Sequence, residues 1–268
     1  MSKEEIKRLF FGVEVHAPWP QKLPKGRTLE ESHRHLTLAF LGNIPYQPLL
    51  LLLNQFPKFP TSIGTAGYFD SCLFLPSHHL HVAAWHASWF DDSVSLSSFQ
   101  KELSQWLHTH SYQIDNRPWM PHLTLCREPF DKKEWKEAFS PLPFYTGDIH
   151  LYESQGQLTY IPIWTFPIKA PFEEIEHTAD MAFIIRADTL EQIYQHAFTA
   201  LAFKAPELLQ FYASKGPFKH LDEIIIALNG IITHADCSVG CPMKAVSFHG
   251  EIIKLADSTL QWEMIVDV

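Results

Sequence analysis

Apolar and polar positions alternate with a period of two in several short stretches of this chain and with a period near 3.6 in others, so both strands and helices are predicted. Five leucines at 49–53 fall in a helix predicted over 48–56, and strand patterns follow at 71–75 and 79–85. Phe99, Leu103, Trp106 and Leu107 line one face of a helix over 96–108. A short helix is expected at 132–139, and strands at 149–154 and 159–166 close this part. Two more apolar runs of strand character carry the same four residues, His35-Leu36-Thr37-Leu38 and His122-Leu123-Thr124-Leu125. A short motif occurring twice suggests two similar lobes.

The character changes at the prolines of 167–171. Beyond them a strand is expected at 181–185, and Asp188 with Glu191 three residues later reads as a capping box. The helix it opens carries Leu190, Ile193, Tyr194, Ala197, Phe198 and Leu201 at helical spacing. A second helix from Asp222 runs through Ile225, Leu228 and Ile232 with an interruption at Gly230, and strands are expected over 245–253 and 260–268. The mixture predicts an α+β fold in two domains, 1–169 and 170–268. The first is a two-lobed sandwich of antiparallel sheets with helices, and the second is a smaller α+β unit.

With 46% hydrophobic and 13% aromatic residues the chain is rich enough for packed cores, which excludes disorder as its default. The net charge of −9 argues against a protein that coats itself in nucleic acid, yet gripping one RNA terminus needs only a local positive site. Cys72 and Cys126 are isolated among four cysteines, so a disulfide framework is not expected and a cytoplasmic setting fits. Met1-Ser2-Lys3-Glu4-Glu5 leads into no secretion signal, and the leucine block is too short to span a membrane, so no membrane association is expected.

Candidate chemistry centres on the repeated motif. Strict alternation puts His35, Thr37 and Ala39 on one face of a strand and Leu36, Leu38 and Phe40 on the core side. It likewise pairs His122 with Thr124 against Leu123 and Leu125. If the lobes face each other, two imidazole–hydroxyl pairs converge. One neutral histidine then takes a proton from an attacking water while a protonated one gives a proton to the leaving oxygen, with threonine hydroxyls on the non-bridging phosphate oxygens. No metal is needed. The residues alone leave open the alternative of two ordinary strand histidines with structural hydrogen bonds.

The segments His35-Leu36-Thr37-Leu38-Ala39-Phe40-Leu41-Gly42 and Pro121-His122-Leu123-Thr124-Leu125 resemble the paired signatures of the two-histidine (2H) phosphoesterase superfamily. The nearest branch is the LigT-like RNA 2′,3′-cyclic phosphodiesterases, also called the 2′-5′ RNA ligase family. Arg8-Leu9-Phe10-Phe11-Gly12-Val13, His81-Val82-Ala83-Ala84-Trp85 and Leu151-Tyr152-Glu153-Ser154 support the likeness over about residues 6–169. The resemblance implies opening of a terminal 2′,3′-cyclic phosphate to a 2′-phosphate without a cofactor, with His122 as base and His35 as acid. Arg127 stands where such enzymes carry a phosphate-binding arginine, although strict alternation directs it to the leucine face. The approach Glu30-Glu31-Ser32-His33-Arg34 is more charged than the family pattern.

Residues 171–268 resemble archease, an assistant of RtcB-type RNA ligases, which join cyclic or 3′-phosphate ends to 5′-hydroxyl ends. Glu176-His177-Thr178-Ala179-Asp180, the capped helix, Met243-Lys244-Ala245-Val246-Ser247-Phe248-His249-Gly250 and Val266-Asp267-Val268 carry that likeness, with a shortened middle. It implies a divalent cation, Ca²⁺ or Mg²⁺, held through Asp180 and Asp267, with His177 and His249 structural. The expected partners are RNA termini and an RtcB-type ligase, in RNA repair or tRNA splicing. Two other readings remain: a non-catalytic RNA-end-binding accessory of such a ligase, and a phosphodiesterase for a small cyclic nucleotide. Cys237 and Cys241, near His234 and Asp236, lack the further pair a tetrahedral zinc site needs and read as loop thiols. His79 and His81 share a strand face without a third ligand in the sequence pattern, and read as surface or cleft-wall residues.

Overall fold

The computed structural model describes residues 5–76, 78–90, 96–115, 117–178 and 180–268. The leader reading at Met1–Glu4 and the Ala179 of the archease-like motif lie outside the described residues.

The first part of the chain runs β1 (Ile6–His16), β2 (Arg27–Thr28), β3 (His35–Pro45), α1 (Tyr46–Leu52), β4 (Ala66–Leu75) and β5 (Val82–Trp89). It continues with α2 (Leu96–Thr109), β6 (His122–Arg127), α3 (Lys132–Glu137), β7 (Leu142–Gly156) and β8 (Thr159–Phe166). Every strand pairing is antiparallel, in the order β1-β3-β6-β5-β4-β7-β8, with β2 on β6 and a further β1–β7 ladder. Because β7 reaches both β4 and β1, six strands form a hydrogen-bonded circuit. The seam is β3–β6, where Leu36 stands opposite Leu123. Among the described residues, no helix is long and apolar enough to cross a membrane.

Period-two burial sets one face of these strands against the helices. Leu9, Phe11, Val13, Leu36, Trp85, Leu123 and Leu151 join the core with Leu96, Phe99, Leu103 and Leu107 of α2. The leucine block is amphipathic: Leu49 and Leu53, four apart, are buried while Leu51 is 76% exposed. Asp131 caps α3 by accepting from the amides of Lys133 and Glu134.

Two of the register shifts in this sheet fall at the fourth residue of the repeated motif. On β3 the register jumps from Phe11↔Ala39 to Gly12↔Thr37, leaving Leu38 as an extra residue. On β6 it jumps from Ala83↔Cys126 to Ala84↔Thr124, leaving Leu125 extra. Each is a β-bulge, which reverses the faces of the residues that follow it up to the next register shift. Ala39 and Cys126 are therefore core residues, and Phe40 and Arg127 are exposed. This corrects the expected faces of Ala39, Phe40 and Arg127.

The second part comprises β9 (Phe172–Ile175), β10 (Met181–Ala187), α4 (Leu190–Lys204), α5 (Leu221–Val239), β11 (Ala245–Val246), β12 (Ile253–Lys254) and β13 (Leu260–Asp267). Its antiparallel sheet has the order β11-β13-β10-β9, with β12 on β13. The cap of α4 is Thr189, whose hydroxyl accepts from the Gln192 amide, while Gln192 accepts from the Asp188 amide. The box is thus one residue later than Asp188/Glu191, and Glu191 instead receives the Phe218 amide. Nor does Gly230 interrupt α5, because a helix of 19 residues with seven buried side chains tolerates the roughly 1 kcal/mol a glycine costs. Cys237 lies inside α5, not in a loop.

Ile168 packs into the first core and Phe172 into the second. The second core reaches back across that boundary to Ala66 and Phe90. Phe90 meets Phe198 of α4 edge-on at 5.5 Å and Tyr212 at 4.5 Å, and Tyr145 of β7 stacks on Phe203 at 5.5 Å. The two parts are joined by aromatic packing as well as by the chain.

Candidate active site

The seam brings the two motifs together. With Leu36 opposite Leu123 in an antiparallel pair, His35 lies across from Thr124 and Thr37 across from His122. A local two-fold axis through the leucine pair relates the motifs, so in register each histidine is set against the other motif's threonine. The histidines are diagonal neighbours, a relation that separates residues by about 7–8 Å, close enough for His122 to act electrostatically on His35. Among the described residues neither threonine hydroxyl has a hydrogen-bond partner within the protein, so both are available to a ligand.

Both rings are pinned in the same way. Nδ1 of His35 donates to the His33 carbonyl at 2.7 Å, and Nδ1 of His122 donates to the Met120 carbonyl at 2.8 Å. A carbonyl only accepts, so the neutral form carries its proton on Nδ1 and leaves the Nε2 lone pair free. Burial lowers the pKa of both. For His35 it prevails over the His33 carbonyl bond and, with the nearby charges of His122 and Arg127, brings the value down to about 4. His122 is lowered by burial and by His86, against its Met120 bond, and the shift is smaller. Both rings are neutral in the free protein at neutral pH.

The stronger effect on His35 has a visible cause. Phe10, Tyr152 and Tyr160 surround its ring at centroid distances of 4.8, 5.3 and 5.1 Å. Gly12 on β1 permits this packing, since a Cβ there would lie 3.2 Å from both His35 Cδ2 and Tyr152 Cε2. Next along β1, Glu14 stands opposite His35 in register and accepts from His150 Nε2 at 2.9 Å. The His150 and His16 contacts draw Glu14 down to about 2, so its carboxylate is a fixed anion between those two rings.

Three features escaped sequence reasoning. His86 lies across from His122 on β5, and its Nδ1 donates to Asp70 at 2.9 Å. The alternation Val82, Ala84, His86 against Ala83, Trp85 was the signal for it. Arg27 on β2 stands directly opposite Arg127, a like-charge pair that is unfavourable without an anion between its members. Phe40, the counterpart of Arg127 under the local two-fold, is 45% exposed with the Arg8 guanidinium 5.2 Å from its ring centre. The last two depend on a short strand pairing and on the bulge, which no periodicity reveals.

The other two predicted positions are elsewhere. Asp180 and Asp267 lie at one end of the second sheet, just past the pair Met181↔Val266. Asp180 is 3.8 Å from His177 Nδ1, and Asp267 accepts from the Ser247 hydroxyl at 3.3 Å. Their oxygens suit a hard cation, but among the described residues no third carboxylate, histidine or cysteine joins them.

No protein-family model matches the chain, and no curated protein does. Solved structures do show a likeness. A structure described only as a phosphoesterase is 20% identical with a TM-score of 0.45, covering 62% of this chain and 99% of its own. Escherichia coli LigT, solved with 3′-AMP, is 20% identical with a TM-score of 0.44 over 61% of this chain and 99% of its own. A protein of Thermus thermophilus is 18% identical with a TM-score of 0.43, over 61% and 98%.

Proposed function

We propose that the first part of this chain is a metal-independent 2H phosphodiesterase that opens RNA 2′,3′-cyclic phosphate ends to 2′-phosphates. The observation that carries the reading is the two-fold arrangement at the seam: two histidines pinned at Nδ1, each set in register against the other motif's threonine, on a face that also carries Arg127. Water attacks phosphorus, the P–O3′ bond breaks, one histidine takes the water's proton and the other protonates O3′. Thr37 and Thr124 donate to the non-bridging oxygens, where charge grows. Arg127 and Arg27 hold phosphate, and Phe40 offers its ring to a base.

The unequal burial supports a division of roles. His35, the harder of the two to protonate, is the base, and His122, the less perturbed, carries the proton to O3′. This is the reverse of the order the family resemblance implies. In the second part, Asp180 and Asp267 are the oxygen ligands that would hold Ca²⁺ or Mg²⁺ in an archease-like module assisting an RtcB-type ligase, which uses the same kind of RNA end.

Two variants and two substrates test this. On a cyclic-phosphate RNA, His35→Ala and His122→Ala should each lose about 10²–10⁴-fold in rate. On a 4-nitrophenyl phosphodiester, whose leaving group needs no proton, His122→Ala should regain most of the rate and His35→Ala should not. Full activity of both variants on RNA would end the proposal, and rescue of His35→Ala instead would exchange the roles.

A further inference from the structure

His79 and His81, short of a third ligand in the sequence pattern, acquire one in the fold. A ring nitrogen of each and a carboxylate oxygen of Glu128 all lie within 4.8 Å of one another. The two imidazoles meet edge to face at 4.1 Å, and His81 Nδ1 donates to Glu128 at 2.7 Å. The backbone holds the three in place. His81 immediately precedes β5 and Glu128 immediately follows β6, strands paired at Val82↔Arg127. The Glu128 amide donates to the His81 carbonyl at 3.0 Å, the His81 amide to Leu75 at 2.9 Å and the His79 amide to Pro76 at 3.2 Å. His79 and Glu128 are exposed and His81 is half-buried, so an ion reaches them from solvent.

One other group of this kind occurs among the described residues, Glu14, Asp148 and His150, but its atoms are already committed. There, Nδ1 and Nε2 of His150 contact Thr165 and Glu14, and Asp148 caps the Ile168 amide. At the first group only the His81–Glu128 bond has to give way.

We propose that His79, His81 and Glu128 form a zinc-binding site at the end of the β5–β6 pair next to Arg127. Two imidazoles and one carboxylate are the ligand set of three-ligand zinc sites that keep a fourth position open. Ca²⁺ and Mg²⁺ prefer all-oxygen shells and are disfavoured by two nitrogen ligands. At Zn–N and Zn–O distances of about 2.0–2.2 Å the ligand atoms must draw closer than 4.8 Å, which exposed side chains do by rotamer adjustment. The open position takes water or an oxygen of a bound anion. The site is independent of the histidine pair and of the phosphodiesterase reading.

The test uses the untagged full chain titrated with Zn²⁺, followed by calorimetry and by melting temperature, with Co²⁺ absorption as a coordination probe. The wild type should bind one equivalent at this site, with a higher melting temperature and the visible bands of tetrahedral Co²⁺. His79→Ala and His81→Ala should each weaken binding at least about tenfold, no less than loss of an outer-shell partner costs. His78→Ala, next in the chain and outside the group, should bind as the wild type does. Equal losses in all three variants would mean a histidine-rich surface and overturn the site. So would unchanged binding in His79→Ala and His81→Ala, or no saturable binding below about 100 μM.

Discussion

A histidine's chemistry in this chain is set by what covers the ring and what holds its far nitrogen. The carbonyls of His33 and Met120 fix the tautomers, and the aromatic box of Phe10, Tyr152 and Tyr160 makes His35 the harder to charge. The productive form has one ring neutral and one protonated. In the free protein it is most populated between about 4, where His35 titrates, and the lowered value of His122 below the usual 6.5. Accordingly kcat/KM should rise as pH falls from 8 into this acidic window and decline again near pH 4. A profile flat from pH 5 to 8 would count against a two-histidine mechanism. The paired histidines were legible from sequence because their spacing and apolar frame repeat. Their protonation was not, since Phe10, Tyr152 and Tyr160 reach His35 from distant strands.

At the scale of elements, period-two patterning told the core side of each strand only up to its bulge. The extra residues Leu38 and Leu125 occupy equivalent places in the two motifs and turn Phe40 and Arg127 to the face of the histidines. A bulge is a property of a strand and its partner, so the single strand's alternation sent Arg127 the wrong way. Likewise, capping chemistry announced the start of α4 but not which of two adjacent polar residues, Asp188 or Thr189, would supply the cap. The close approach at Gly12 gives a prediction at this scale. A methyl in Gly12→Ala presses on His35 and Tyr152, and the bond to His33 leaves His35 little room to yield. The expected result is a kcat about tenfold lower with KM and melting temperature little changed. Unaltered kcat would show that the ring has slack.

The whole molecule has two cores that meet where Phe90 and Tyr145 enter the second. Sequence marked the change of character near 167–171 but not this contact, which pairs residues far apart in the chain. His196 of α4 is buried, donating from Nδ1 to the Arg186 carbonyl, and burial lowers its pKa to about 4. Between pH 6.5 and about 4 the unfolded chain takes up a proton there that the folded one refuses. Stability should therefore be unaffected by this group above pH 6.5 and fall by up to about 3 kcal/mol toward pH 4. His196→Gln should flatten that part of the urea-unfolding profile, and an unchanged slope would contradict the burial. The most direct test of the central claim is the product formed from a short RNA ending in a 2′,3′-cyclic phosphate, incubated with the protein in EDTA and resolved against 2′- and 3′-phosphate standards. The two-histidine site predicts a 2′-phosphate, undiminished by EDTA and formed at least about 10²-fold more slowly with His35→Ala. Unchanged RNA, or product that disappears with EDTA, would contradict it.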